Sequence, residues 1–236
     1  HIIDRIPNNY SVTDKADGEK FALVITNGNM YFISCNMDVR LLDYKVKGLK
    51  DTILEGELIH ITSQRKYLYM IFDCLYYDGV DIRNEKYLEK RLDKVNLVCK
   101  KIGVNIYNHK KYNGKFDIDL IKKFYKNEIV NFYDNINNLL IKLNHNDILF
   151  HPKMFLFPSG GSDSEVFLFS DLLWTGLTKD EKVNCPYKLD GIIYTGIEQK
   201  YTIDKREQKY PIFKYKPPST NSVDVYIRFD RNMETG

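Results

Sequence analysis

The residues best suited to chemistry lie in one polar stretch, Thr13-Asp14-Lys15-Ala16-Asp17-Gly18-Glu19-Lys20. A lysine amine attacks an electrophile only when neutral, and an ordinary lysine has a pKa near ~10.4. A nucleophilic Lys15 must therefore be partly desolvated or set near other cations. A Lys-x-Asp-Gly turn suits that need. Gly18 lets the backbone take a positive φ and come close to a ligand, and Asp17 can anchor the loop by hydrogen bonds to backbone N–H groups. Alone, the tetrapeptide reads more readily as a solvated turn between two strands.

Polar residues that interrupt apolar strands change that weight. Glu57 stands inside Leu54 to Ile61, Asp73 inside Tyr67 to Leu75, and Asp190 opens the Gly191 to Tyr194 strand. Lys214 and Lys216 flank Tyr215, so by period two they share a face. A carboxylate in a strand core is costly unless paired or bound to a metal, and two lysines on one face repel each other unless an anion lies between them. Each taken singly is equally a strand-end residue reaching solvent or an ion pair. Together they describe a site for a nucleoside triphosphate with a divalent ion. Lys214 and Lys216 would hold the α-phosphate and favour the neutral amine of Lys15. Asp190, alone or with Glu57, would carry a hard cation, Mg²⁺ or Mn²⁺, and Phe72 or Ile193 would lie against the base.

Stepping outward, these residues need a sheet to position them. Phe21 to Thr26 and Met30 to Ile33 surround Asn27-Gly28-Asn29, a hairpin signal that places Lys15 in the loop feeding the first strand. Ile53 to Ile59 and Tyr67 to Leu75 read as a second antiparallel pair, the latter apolar enough to be central. Leu88, Leu92, Val95 and Cys99 then recur at helical spacing, with Asn84 as N-cap and Gly103 as the stop. A second helix is predicted from about Asp119 to Leu143, burying Leu120, Phe124, Phe132, Ile136, Leu139 and Leu143 and leaving an Asn-rich face in solvent. Ser159-Gly160-Gly161-Ser162 lacks the Lys-Ser/Thr of a P-loop and reads as a surface loop. The run Val166 to Phe169, with Leu172, Leu173 and Trp174, reads as core. Strands resume at Asp190 to Tyr194, Ile212 to Lys216 and Val223 to Phe229. The fold class is α+β: antiparallel sheets flanked by helices.

Composition bounds the rest. A chain of 236 residues with 43% hydrophobic content allows one large α+β domain, or one domain with an incomplete second. A net charge of +3 fits anionic ligands without demanding them. Cys35, Cys74, Cys99 and Cys185 are scattered, with no C-x-x-C pair, which argues against zinc and disulfides and for a reducing, cytoplasmic compartment. No apolar run approaches the ~18 residues of a membrane span. The start at His1 and the end just past a strand-like run suggest a segment of a longer polypeptide.

Five stretches in order resemble motifs I, III, IIIa, IV and V of the covalent nucleotidyltransferases, the superfamily of mRNA capping guanylyltransferases and ATP-dependent polynucleotide ligases. They are Lys15-Ala16-Asp17-Gly18, Leu54-Glu55-Gly56-Glu57-Leu58, Met70 to Leu75, Leu189 to Tyr194, and Phe213-Lys214-Tyr215-Lys216-Pro217-Pro218 with Asn221-Ser222-Val223-Asp224. The details resemble capping: motif IV is Asp-Gly where ligases usually have Glu-Gly, and motif V is close to the Lys-Trp-Lys-Pro and Asn-Thr-Val-Asp of guanylyltransferases. The density of Lys, Asn, Ile, Tyr and Phe, all encodable by A/T-rich codons, looks most like the multifunctional capping enzymes of large DNA viruses of the mimivirus type.

The resemblance implies that Lys15 takes GMP from GTP as a lysyl-GMP phosphoramidate and passes it to the 5′-diphosphate end of RNA. Asp17, Gly18, Lys20, Glu57, Phe72, Ile193, Lys214 and Lys216 would bind the nucleotide, and Asp190 with Glu57 the metal. It also implies neighbouring triphosphatase and methyltransferase domains and no membrane. Two departures stand out: Lys20 where many relatives carry a ribose-contacting Arg, and Glu55 in place of the usual Asp. Relatives also close a C-terminal OB-fold over the triphosphate. Residues 1–221 would be the nucleotidyltransferase domain and 222–236 the start of that OB-fold, only its first strand, Val223 to Asp230, being present. The segment alone is then expected to bind GTP but to form lysyl-GMP poorly or not at all. A polynucleotide ligase and a non-catalytic nucleotide-binding module of a capping complex are the alternatives.

Overall fold

The computed structural model describes residues 9–217 apart from 163, 164 and 181. The expected strand Val223 to Phe229, the boundary at 221/222 and the tail of motif V from Pro218 onward lie outside the described residues. In chain order the elements are β1 (Tyr10–Ala16), β2 (Glu19–Thr26), β3 (Asn29–Ser34), β4 (Val39–Lys45), β5 (Thr52–Ile61), β6 (Lys66–Tyr77) and β7 (Val80–Asp81). They continue with α1 (Leu88–Ile102), α2 (Ile118–Ile141), β8 (Ile148–Pro152), α3 (Glu165–Lys179), β9 (Leu189–Gly196) and β10 (Phe213–Tyr215).

The strands form two sheets. A seven-stranded sheet has the order β4-β3-β2-β5-β6-β7 with β8 also on β6, and a three-stranded sheet has the order β1-β9-β10. The class is α+β, with one amendment: β8 runs parallel to β6, Tyr67 opposite Ile148, so the sheets are not wholly antiparallel. The β2–β3 hairpin turns at Asn27 and Gly28, both with positive φ, as Asn-Gly predicts. β6 is apolar because both of its faces are covered. Leu68 and Met70 enter a core beneath α2 and α3, and Tyr69 and Ile71 enter a second core beneath α1.

Three sequence expectations are corrected. Lys15 is not in a loop: it is the penultimate residue of β1, paired with β9. Asn84 does not cap α1. The helix begins at Leu88, whose N–H bonds the Ile197 carbonyl at 2.9 Å, so a tertiary partner replaces a side-chain cap. α2 begins at Ile118, with the Asp117 carboxylate accepting from the Asp119 and Leu120 amides, and its buried face is turned by one residue in the first half. Ile121, Tyr125 and Ile129 point inward, while Leu120 is 52% exposed. Tyrosines cause the turn: the Tyr125 hydroxyl donates to the Phe157 carbonyl at 3.0 Å, so its ring can be buried without an orphaned polar atom.

The Ser159 to Ser162 loop is no phosphate cradle. The Ser159 and Gly161 amides already donate to the buried Glu165 carboxylate at the start of α3. The Val166 to Trp174 run is helical, with Val166, Phe169 and Leu173 inside. All four cysteines are free thiols, and burial pushes Cys99 and Cys185 up to about 12. No helix among the described residues is long and apolar enough to cross a membrane.

Two histidines brace the segment that leaves β8. His109 Nε2–H donates to the Lys153 carbonyl at 3.0 Å, and His151 Nδ1–H donates to the Pro152 carbonyl at 2.8 Å. Burial lowers both to about 4 against the partial opposition of those bonds. A depressed folded-state pKa means that this stability is complete above about 6.5 and is lost as pH falls through about 4. Stability measured by urea unfolding is expected to fall by roughly 2 kcal/mol per histidine between pH 7 and pH 5. His109→Gln should remove one proton from the pH slope, and an unchanged slope would show that the ring is not buried neutral.

Candidate active site

β1 and β9 are antiparallel with Lys15 opposite Gly191, and the register slips between Lys15 and Ala16, which faces Leu189. The slip leaves Asp190 as the extra residue on β9, and such bulges re-aim side chains. Here the result is an ion cluster. Asp190 Oδ2 takes both the Lys15 ammonium and, at 2.9 Å, the Lys216 ammonium. Desolvation pulls the Asp190 carboxyl upward, but the hydrogen bonds from Lys15 and Lys216 hold it below the usual carboxylate range. Gly191 has a φ of +148°, and a side chain there would run into the Tyr215 carbonyl, so glycine lets β10 close on β9 beside Asp190. Of the two lysines of motif V, Lys216 thus has its anion in the protein itself.

Gly18 acts otherwise than expected. It is not among the positive-φ glycines. Instead an added Cβ would lie 2.7 Å from the Leu58 carbonyl oxygen and 2.9 Å from Glu57 Cγ, so the need is close passage over β5. Asp17 is exposed, does not line the cleft and takes no hydrogen bond among the described residues, so the expected anchoring is not seen. Glu57 is raised above the usual carboxylate range, first by burial and then by Asp14, against the lowering pull of Lys153, Lys15 and the Gly18 amide.

A cleft of about 570 Å³ opens between the sheets. Lys15, Ile193 and Lys214 line it from the three-stranded side, and Lys20, Glu57 and Phe72 from the other, with Gly18 at the crossing. Asp190 and Lys216 do not line it themselves and are joined to it through Lys15. The two positions that depart from the motif pattern meet there: Lys20 Nζ lies 2.8 Å from Glu55 Oε1 and 5.7 Å from the Phe72 ring centroid.

Sequence reasoning missed two groups. Lys153, 1% exposed, lines the floor, with Nζ 3.2 Å from Asp14 Oδ2 and 3.9 Å from Glu57 Oε2; the Tyr187 hydroxyl donates to the same Asp14 oxygen. Its signal was a lone lysine in the apolar run Ile148 to Phe157. Arg91 forms a bidentate pair with Asp73 at 2.7 and 3.1 Å and donates to the Glu85 and Gln199 carbonyls. Asp73 is therefore a structural ion-pair partner; Arg91 lies three residues after Leu88 and four before Val95, so it shares the apolar face, but its charge made it read as a solvent-facing residue.

The family model for the mRNA capping enzyme catalytic domain matches residues 4–152. The chain belongs to this family. A probable mRNA-capping enzyme of Acanthamoeba polyphaga mimivirus is 37% identical over 244 residues, an alignment covering 99% of this chain and 20% of the relative. The chain thus spans about one fifth of that relative's length. Solved structures of a mycobacterial DNA ligase D complexed with ATP and MES, and of the ligase domain of M. tuberculosis LigD, align at 12% identity with a TM-score of 0.43, covering 82% of this chain and 50% of theirs. In this capping-enzyme domain the family match contains Lys15, Glu57 and Phe72, while Asp190, Lys214 and Lys216 lie beyond it; β10 brings Lys214 to the cleft, and Asp190 and Lys216 meet Lys15 beside it.

Two outcomes follow from the packing. Gly18→Ala is expected to cost about 1–3 kcal/mol in urea unfolding, because the Leu58 backbone must move; an unaltered midpoint would show that it gives way freely. Lys153→Met should cost roughly 3 kcal/mol by leaving Asp14 buried without its cation, and adding Asp14→Asn should recover much of the loss. Equal stability of Lys153→Met and the parent would contradict the pairing.

Proposed function

We propose that the domain is a GTP:RNA guanylyltransferase. The observation that carries the reading is the meeting of Lys15, Asp190 and Lys216 beside a cleft that also holds Lys214 and Phe72, in a chain of the capping family. Lys15 attacks the α-phosphorus of GTP, the bond to the β-phosphate oxygen breaks and pyrophosphate departs, leaving lysyl-GMP. The 5′-diphosphate of RNA then attacks that phosphorus, the P–N bond breaks and the amine is regenerated. Because the contact with Asp190 belongs to a charged ammonium, Lys15 must give up a proton to solvent and leave that contact before its amine can attack. Lys214 and Lys216 neutralise the transferring phosphoryl oxygens, a task that needs positioned cations more than an acid–base pair. Phe72 and Ile193, on opposite walls, bracket the base.

The donor chemistry suits a hard divalent cation, Mg²⁺ or Mn²⁺. Asp190 and Glu57 offer carboxylate oxygens, the hard donors such an ion takes. This is the donor pattern of ions held by one or two carboxylates, with water and phosphate oxygens completing the shell. When bound, such an ion supplies charge neutralisation on the triphosphate. The span of one fifth of the mimivirus relative supports a longer, multidomain polypeptide; we infer triphosphatase and methyltransferase domains within it, and a cytoplasmic site of action such as a viral factory.

Covalent labelling of the full-length protein with α-labelled GTP and, separately, α-labelled ATP tests this reading. Label that survives denaturation is expected from GTP, is abolished by Lys15→Ala and is lost on chelation of divalent ions. Label from ATP alone, or a labelled Lys15→Ala variant, would overturn it.

A further inference from the structure

The connection between β9 and β10 reaches across the cleft, and Tyr201 touches Glu55 on the far wall. Its hydroxyl donates to Glu55 Oε1 at 2.8 Å, the same oxygen that receives Lys20 at 2.8 Å. We propose that Tyr201 is a positioning residue for the nucleotide: by holding the Glu55 carboxylate from the opposite sheet, it fixes the Lys20 ammonium over Phe72. This rests on the guanylyltransferase reading of the cleft.

Lys20 needs such help. Its side chain is 50% exposed, and a lysine is a point charge on a flexible stem, so a lone pairing with a carboxylate holds it weakly. Glu55 is different: its side chain is only 12% exposed and receives donors from both walls of the cleft. Tyr201 in turn is not free to drift. Its backbone N–H bonds the Arg83 carbonyl at 3.0 Å, and two residues earlier the Gln199 carbonyl accepts from Arg91 at 2.9 Å. Arg91 is locked by its bidentate bond to Asp73, and the Gln199 side chain takes the Tyr210 amide at 2.8 Å. Burial, and then the Glu55 charge, raise the Tyr201 phenol, so it remains a donor. The chain of contacts runs from a buried ion pair, through Gln199 and Tyr201, to Glu55 and Lys20. Lys20, Glu55, Phe72, Gln199 and Tyr201 all line the same cleft.

The test is Tyr201→Phe in the full-length protein, which removes one oxygen and keeps the ring. The KM for GTP in lysyl-GMP formation is expected to rise about tenfold, the scale of a lost hydrogen bond to a charged group, with the maximal rate within about twofold. In a Lys20→Met background the same change should add nothing, and Lys20→Arg should restore the KM of Tyr201→Phe, because a guanidinium fork can grip Glu55 without the phenol. An unchanged KM, or an equal loss with and without Lys20, would overturn the proposal; a brace acting only on stability gives the second result. If the parent protein is labelled by ATP and not by GTP, the guanylyl reading falls, and the Tyr201–Lys20 coupling is then measured with ATP, where additivity still counts against it.

Discussion

One carboxylate shared by two ammonium groups organises the cleft. Lys15 and Asp190 are 175 residues apart in sequence, and Lys216 comes from the far end of the described chain, yet all three meet on one oxygen. The three-stranded sheet is what makes this possible, since β1, β9 and the residue that follows β10 each deliver one of the groups. The cluster has two cations for one anion, so it retains an excess of positive charge beside the cavity. An incoming phosphate competes with Asp190 for those ammoniums, and a cation competes with them for Asp190. Either exchange would loosen the hold on Lys15, which in the structure is paired with Asp190.

Beneath this cluster lies a more expensive feature. Asp14 is fully buried, Lys153 almost so, and each would carry a large desolvation penalty without the other. Tyr187 and Thr13 complete the hydrogen bonding, and no side-chain nitrogen or oxygen that the structure describes as buried lacks a partner. The consequence for the cleft is that Glu57 faces both members of this pair, with Lys153 Nζ 3.9 Å from Glu57 Oε2 and 3.2 Å from Asp14 Oδ2. Burial, with the charge of Asp14 beside it, raises the carboxyl of Glu57 against the lowering pull of Lys153 and Lys15. The backbone of the same lysine is held by His109, so the floor is fixed both at its charge and at its carbonyl.

Much of this was legible where local chemistry and pattern agree. Asn27-Gly28 specified a hairpin, β6 announced burial on both faces and Gly103 ended α1; of the polar residues that interrupt strands, Lys15, Asp190 and Lys216 meet one another, and Glu57 and Lys214 line the cleft with Lys15. What stayed hidden depended on tertiary partners. The start of α1 is set by the Ile197 carbonyl, the inner face of α2 by tyrosine hydroxyls that find acceptors, and the role of Gly18 by the passage of β5 beneath it. Lys153 and Arg91 were missed because a buried cation looks in sequence like any other; only its carboxylate, far along the chain, distinguishes it.

The family match and the geometry also divide the cleft between them. Residues 4–152 supply Lys15 and the wall of β2, β5 and β6, whereas most of the opposing wall comes from residues 193–214. Two independent sheets facing each other would be free to shift, and the position of a phosphate between them would shift with them. The connection after β9 limits that freedom: Glu198 bridges to Tyr87, Gln199 is held by Arg91, and Tyr201 is tied to Arg83 and Glu55. These ties fall on consecutive or near-consecutive residues, so they act as a seam and not as separate hinges. Closing the seam before ligand binding spends ordering entropy during folding, leaving less to be lost when the nucleotide arrives.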